Sequence, residues 1–187
     1  MKNILSILLL LLAFTACGDK KAVTDVLNRA ESLMNEHSDS ALNLLRTLTF
    51  DDFQKEKNRA RYALLHSQAL DKNYIDTAND SLIQVAVNYY QDRSDTQTKF
   101  YAYYYLGRVH VNGNRLDQAT LAFMNAEQEV ETLGDDYAAG LLYTEMGDIY
   151  REYYDFPKAF DCYIYRVCSR LDIPGNKKDF ERFVKTY

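Results

Sequence analysis

The chain predicts an all-α protein, and three observations carry that prediction. Its 187 residues include only seven Gly and two Pro, too few to punctuate the many turns of an all-β fold. Apolar residues recur at helical rather than alternating spacing. One stretch also repeats another at an offset of 40 residues, the mark of an array of helical units. With 47% hydrophobic and 26% charged residues the composition is that of a cored domain, not a disordered tail. The net charge of −5 argues against a nucleic-acid-binding face. Three Cys without short spacing exclude a disulfide framework and a zinc ribbon.

Residues 1–16 stand apart from the fold. Lys2 supplies a positive start, Ile4 to Phe14 form an apolar core broken by Ser6, and Thr15 and Ala16 lead into Cys17. Such a run is too short to cross roughly 30 Å of hydrocarbon and suits a secretory signal. The sequence Phe14-Thr15-Ala16-Cys17 resembles the bacterial lipobox, in which cleavage precedes the Cys and its thiol carries a diacylglycerol. That resemblance implies a signal peptide over 1–16, covalent diacylglycerol and an acyl chain on Cys17, and a short tether over 17–22. The competing reading is an ordinary signal peptide with an incidental Cys. Gly18, Asp19, Lys20 and Lys21 match neither the acidic export cluster of some Bacteroidetes lipoproteins nor the Cys-Asp start of retained enterobacterial ones. A lipid-anchored, periplasm-facing position in the cell envelope is expected, with surface exposure left open.

From residue 23 onward the helices come in pairs. Val23, Val26, Leu27, Ala30, Leu33 and Met34 form one stripe; after His37, Ser38 is the expected N-cap for a return helix carrying Ala41, Leu42, Leu44, Leu45 and Leu48. A second pair runs from Lys55 to Leu70 and, from Asp80 or Ser81, through Leu82, Val85, Ala86 and Tyr89. The repeat follows. Tyr103, Leu106, Gly107, Val109 and His110 match Tyr143, Met146, Gly147, Ile149 and Tyr150, and Leu116, Ala119 and Phe123 match Phe156, Ala159 and Tyr163. Gly in mid-helix costs about 1 kcal/mol relative to Ala, so Gly107 and Gly147 mark places where another helix comes close. Ala119 and Ala159 are the expected small partners, with Phe123 and Tyr163 filling the groove toward the next unit. Asp135-Asp136 caps a helix, Pro157 sits in the first turn of another, and Pro174-Gly175 ends the last hairpin.

These residues resemble the tetratricopeptide repeat (TPR), whose pattern is an aromatic, Leu-Gly, Tyr, and later Ala and an aromatic. Tyr103 and Tyr143 stand where the family prefers Trp. Ala126 fits its second small position, and Arg166 departs from it. Looser likeness to helical-repeat lipoproteins and sensor-type regulators of Bacteroidetes extends over the earlier pairs. The resemblance implies a right-handed α-solenoid of about four TPR-like hairpins over 23–187, plus a terminal helix. Phe183 and Tyr187 lie 40 residues after Tyr143 and Gly147. The stretch Lys177–Tyr187 therefore reads either as a polar cap or as the start of a repeat otherwise lost.

Catalytic patterns are not found in the sequence. His37, His66 and His110 share no ligand spacing, and no Gly-rich phosphate loop or nucleophile elbow is present. His110 reads as a hydrogen-bonded structural histidine. Cys162 and Cys168 are about 9 Å apart by helical rise, beyond disulfide reach, and read as small core residues. Tyrosines clustered at 89–90, 103–105 and 153–154 would suit sugar stacking, but helical core spacing is the better reading for Tyr103, Tyr143, Tyr150 and Tyr163. No metal and no cofactor beyond the Cys17 lipid is expected.

The resemblance places the first helix of each hairpin on a concave inner face. Its uncommitted residues would be Tyr101, Tyr104, Arg108 and Asn112, followed by Thr144, Asp148, Arg151 and Glu152, a mixture suited to a peptide. The alternative is that Arg108 and Asp148 simply pair with each other. The expected function is a membrane-anchored, non-catalytic scaffold for another protein or peptide, with no nucleic-acid partner. The rivals are a truncated relative of a regulator's sensory region and a glycan-binding accessory lipoprotein.

Overall fold

A computed structural model describes residues 21–170, with side chains as far as Val167. The signal peptide at 1–16, Cys17 and most of its tether, Cys168's side chain, Pro174-Gly175 and the expected terminal helix at 177–187 lie outside the described residues. Those residues form eight α-helices and one 3-10 turn, with no strand among them. No described helix is long and apolar enough to cross a membrane. The chain divides into two compact units between Ile75 and Asp76. The expected second hairpin straddles that division.

In the first unit, α1 (Lys21–Leu33) packs on α2 (Ser38–Leu45), and both pack on α3 (Glu56–Lys72). Val23, Leu27, Ala30 and Met34 are buried on one side, and Ala41, Leu42 and Leu45 answer from the other. Ser38 is the first helical residue, with His37 before it as the N-cap, so the expected cap is one position off. Arg61 on α3 reaches Asn28 and Glu31 on α1. The segment from Phe50 to Gln54 is ordered by chemistry of its own. The Thr49 amide donates to Asp52 Oδ2 at 2.8 Å, closing a capping box around the 3-10 turn Phe50–Asp52. That turn delivers Phe53 into the core with 0% exposure, its ring 5.0 Å from that of Tyr62.

The second unit holds α4 (Ser81–Tyr90), α5 (Thr96–Asn112), α6 (Leu116–Leu133), α7 (Asp136–Glu152) and α8 (Phe156–Arg170). The α5–α6 and α7–α8 pairs are the tightest associations in the molecule, and α6 packs in turn on α7. Asp95 and Asp135 cap α5 and α7; Asp135 accepts from the amides of Tyr137 and Ala138 at 2.9 and 3.1 Å, as expected for it. On α4 the buried residues are Ile83, Ala86, Val87 and Tyr90, and the expected Leu82, Val85 and Tyr89 are only half-buried. Ser81, Gln84 and Asn88 form a polar stripe, and the buried face is the one directly opposite it.

Gly107 and Gly147 do mark close approaches, but of a different kind from the one expected. A Cβ on Gly107 would stand 2.3 Å from Cε1 of Phe123, and one on Gly147 2.7 Å from Cε1 of Tyr163. The two aromatics fold back over the glycine of their own hairpin and do not reach into a groove toward the next. Ala119 and Ala159 are buried, as expected of small core residues.

A further periodicity lies in the backbone. Tyr74, Asn114 and Tyr154, spaced 40 apart, all have left-handed φ, at 56°, 54° and 59°. Each lies just beyond a helix, and the next amide bonds back five residues: Ile75 to Leu70 at 3.0 Å, Arg115 to His110 at 2.9 Å, Asp155 to Tyr150 at 2.8 Å. This is the same Schellman ending three times. The 40-residue unit thus extends back to α3, where Ser67 stands in the register of the two glycines.

Candidate functional site

The residues expected on an inner face all lie on α5 and α7, but most already have work inside the protein. Tyr104 departs furthest from expectation. It is 3% exposed, with Phe100 stacked at 6.0 Å on one side and Phe123 at 6.0 Å on the other. It is a core residue. Tyr103, Tyr143, Tyr150 and Tyr163, expected in the core, are only half-buried. In an aromatic run such as Tyr103-Tyr104-Tyr105-Leu106, composition does not say which ring turns inward.

Arg108 Nη1 donates to Glu145 Oε2 at 2.7 Å, tying α5 to α7. The pairing of Arg108 with Asp148 does not form. Asp148 instead accepts the Tyr163 hydroxyl proton at 2.7 Å and pairs with Arg151 at 3.0 Å. Thr144 donates to the carbonyl of Gly140 within its own helix at 2.7 Å. Arg151 and Glu152 are exposed and 3.6 Å apart. Tyr101 and Asn112 are half-buried. Tyr101 stacks on Tyr105 at 6.1 Å, and burial, with Asp135 and Tyr137 close by, pushes its phenol pKa up.

His110 is buried beneath the end of α5. Its Nδ1 is 3.8 Å from Asp80 Oδ2 and makes no hydrogen bond, contrary to the expected role. Arg115 takes Asp80 instead, at 3.1 Å, and donates to the Ala78 carbonyl at 2.7 Å, clamping the segment before α4. Burial lowers the pKa of His110; Arg115 adds to the effect and Asp80 opposes it. Burial also pushes the Cys162 thiol up to about 11, with Glu127 and Asp161 contributing.

Two depressions flank α7. One, of about 490 Å³, is lined by Tyr137, Gly140, Leu141, Thr144 and Glu145 with Arg166 from α8. Arg166 is the residue that departs from the repeat pattern, so the sequence did carry a signal for this hollow. The other, of about 290 Å³, is walled by Tyr143, Tyr150 and Tyr165 with Glu127, Glu131 and Asp161. Burial and a hydrogen bond to Glu127 hold the Tyr143 phenol well above its ordinary range. Among the described residues no three His, Cys, Asp or Glu side chains are grouped to hold a metal. Comparison with protein-family models, with curated proteins and with solved structures finds no match.

Proposed function

We propose that the chain is a lipid-anchored, TPR-like α-solenoid that binds another protein or peptide along the helices α5 and α7. The observation that carries this reading is the doubled lock of Gly107 with Phe123 and Gly147 with Tyr163. Two hairpins built alike, with Arg108 on α5 bonded to Glu145 on α7, would turn their first helices toward one surface. That surface leaves Tyr101, Asn112, Arg151 and Glu152 at least partly in solvent. Aromatic and charged groups on a rigid scaffold suit recognition of a chain segment. The lipobox-like start would hold that surface close to a bilayer.

A photo-crosslinking residue placed at Tyr101 or Arg151, with Met124 on α6 as the outer control, tests the surface in membrane preparations. The same discrete adduct from both inner positions and none from Met124 is expected. Equal labelling from all three, or none from any, ends the proposal. The anchor is tested by fatty-acid labelling: the label is expected on the parent and lost in Cys17→Ser, and its persistence in that variant rejects lipidation.

A further inference from the structure

Two basic side chains compete for one carboxylate at the start of α4. Asp80 is the N-cap residue of that helix, yet its side chain makes no capping bond; the Ser81 amide donates to Asn79 Oδ1 instead, at 3.0 Å. Asp80 Oδ2 is taken by Arg115 Nη1 at 3.1 Å, and His110 Nδ1 stands 3.8 Å from the same oxygen without a hydrogen bond. Arg115 also donates to the Ala78 carbonyl through Nη2 at 2.7 Å, and its Nε is buried with no partner. Gly113 makes the room, since a Cβ there would stand 3.0 Å from Nε of Arg115 and 3.3 Å from Cβ of Ala78. Arg115 thus pins residues 78–80, just after the point where the chain passes from the first unit to the second.

The repeat does without these groups elsewhere. His110 and Arg115 are the two ends of one Schellman turn, and the equivalent ends are Leu70 with Ile75 and Tyr150 with Asp155, while Thr120 stands in the register of Asp80. A proton on His110 changes the competition. The imidazolium offers Asp80 a charge-assisted N–H, roughly twice as strong as a neutral bond. It also repels Arg115, which faces it from the turn into α6 as Asp80 does from the start of α4. Exposure decides which cation gives way. The His110 side chain is 10% exposed and that of Arg115 34%. The imidazole is enclosed, whereas the guanidinium can turn into water. When it does, the Ala78 carbonyl loses its donor as well. Burial and Arg115 already hold the histidine below its ordinary titration near pH 6.5, so the proton arrives only in mild acid.

We propose that proton uptake by His110 transfers Asp80 from Arg115 to the imidazolium and releases residues 76–80, so that this connecting segment is pinned at neutral pH and loose in mild acid. The catch rests on neither the lipid anchor nor the peptide-binding surface, and each can fail alone.

The chain has no Trp, so Asp76→Trp in the full-length protein, in detergent, puts a single reporter at an exposed position of the segment. In time-resolved anisotropy the amplitude of its nanosecond motion is expected to at least double between about pH 7.5 and about pH 5. The midpoint is expected to match the His110 ring titration followed by NMR. His110→Gln is expected to keep the amplitude low at both pH values, and Arg115→Gln to raise it at both. Tyr137→Trp, at an exposed site in the first turn of α7, reports acid loosening of the unit as a whole. An amplitude at residue 76 that does not change with pH overturns the proposal. So does a rise that survives in His110→Gln, a low amplitude in Arg115→Gln at neutral pH, or an equal rise at residue 137.

Discussion

Phe123 lies across Gly107 so closely that a single methyl group there would stand 2.3 Å from its Cε1. The ring is 0% exposed and has nowhere to retreat. Overpacking of this kind costs about 1–3 kcal/mol, and Gly107→Ala is expected to fall in that range in urea unfolding. Gly147→Ala should cost less, because the Tyr163 ring is partly solvent-exposed and can swing away at the expense of its bond to Asp148. Equal losses at the two glycines would contradict this ordering. Phe123→Leu in the Gly107→Ala background should recover part of the stability.

Tyr74 has a left-handed φ of 56° and is 94% exposed. A side chain pays roughly 1 kcal/mol for that conformation, and Asn tolerates it better than Tyr. Asn114 already occupies the equivalent place 40 residues on. Tyr74→Asn should therefore stabilise the protein by up to about 1 kcal/mol, seen as a higher Tm. The gain at Tyr154 should be smaller, since that ring also meets Phe156 edge-on at 6.1 Å. An unchanged Tm in Tyr74→Asn would count against strain at this helix end.

Burial lowers the pKa of both His66 and His110, with Arg46 and Arg115 respectively adding to the effect. Both are therefore held neutral in the folded protein at a pH where the unfolded chain takes up protons, near 6.5. The unfolded state then binds more protons, so stability falls as pH drops below about 6.5 and levels off below the folded values. Denaturation midpoints between pH 5 and 7 should show this slope, and His110→Gln should flatten part of it. An identical slope in that variant would remove His110 from the account.

Thiolate is the reactive form of Cys, and a thiol held at about 11 offers little of it at pH 8. In a Cys17→Ser, Cys168→Ser background, Cys162 should resist maleimide under native conditions and react at once in denaturant. Rapid native labelling would show that the α7–α8 pair opens readily around it.

What the sequence revealed and what it hid follow one rule. Features set by a single residue's chemistry were readable: Asp135 as a cap, Pro157 in a first turn, Gly107 as a close approach. Choices among several equivalent apolar residues were not. Tyr104 is flanked by Tyr103 and Tyr105, which match it in kind, and on α4 the buried face is marked by the polar stripe of Ser81, Gln84 and Asn88 opposite it and not by the apolar residues themselves. Phe53 escaped because its burial depends on a 3-10 turn that lacks any helical period. Salt-bridge partners were hidden for another reason. Arg108 could reach several carboxylates on the next helix, and only the stagger between α5 and α7 selects Glu145 over Asp148. The third copy of the repeat was visible in φ angles and not in letters, since Tyr74, Asn114 and Tyr154 share a conformation but not a side chain.

The junction of α6 and α7 has no spare residue. Gly134 turns the chain with φ 62°, and Asp135 is already bonded to the amides at the start of α7. With both junction residues committed, the direction in which α7 leaves α6 is set by the chain itself. Lengthening that junction by a few glycines would let α7 swivel against α6.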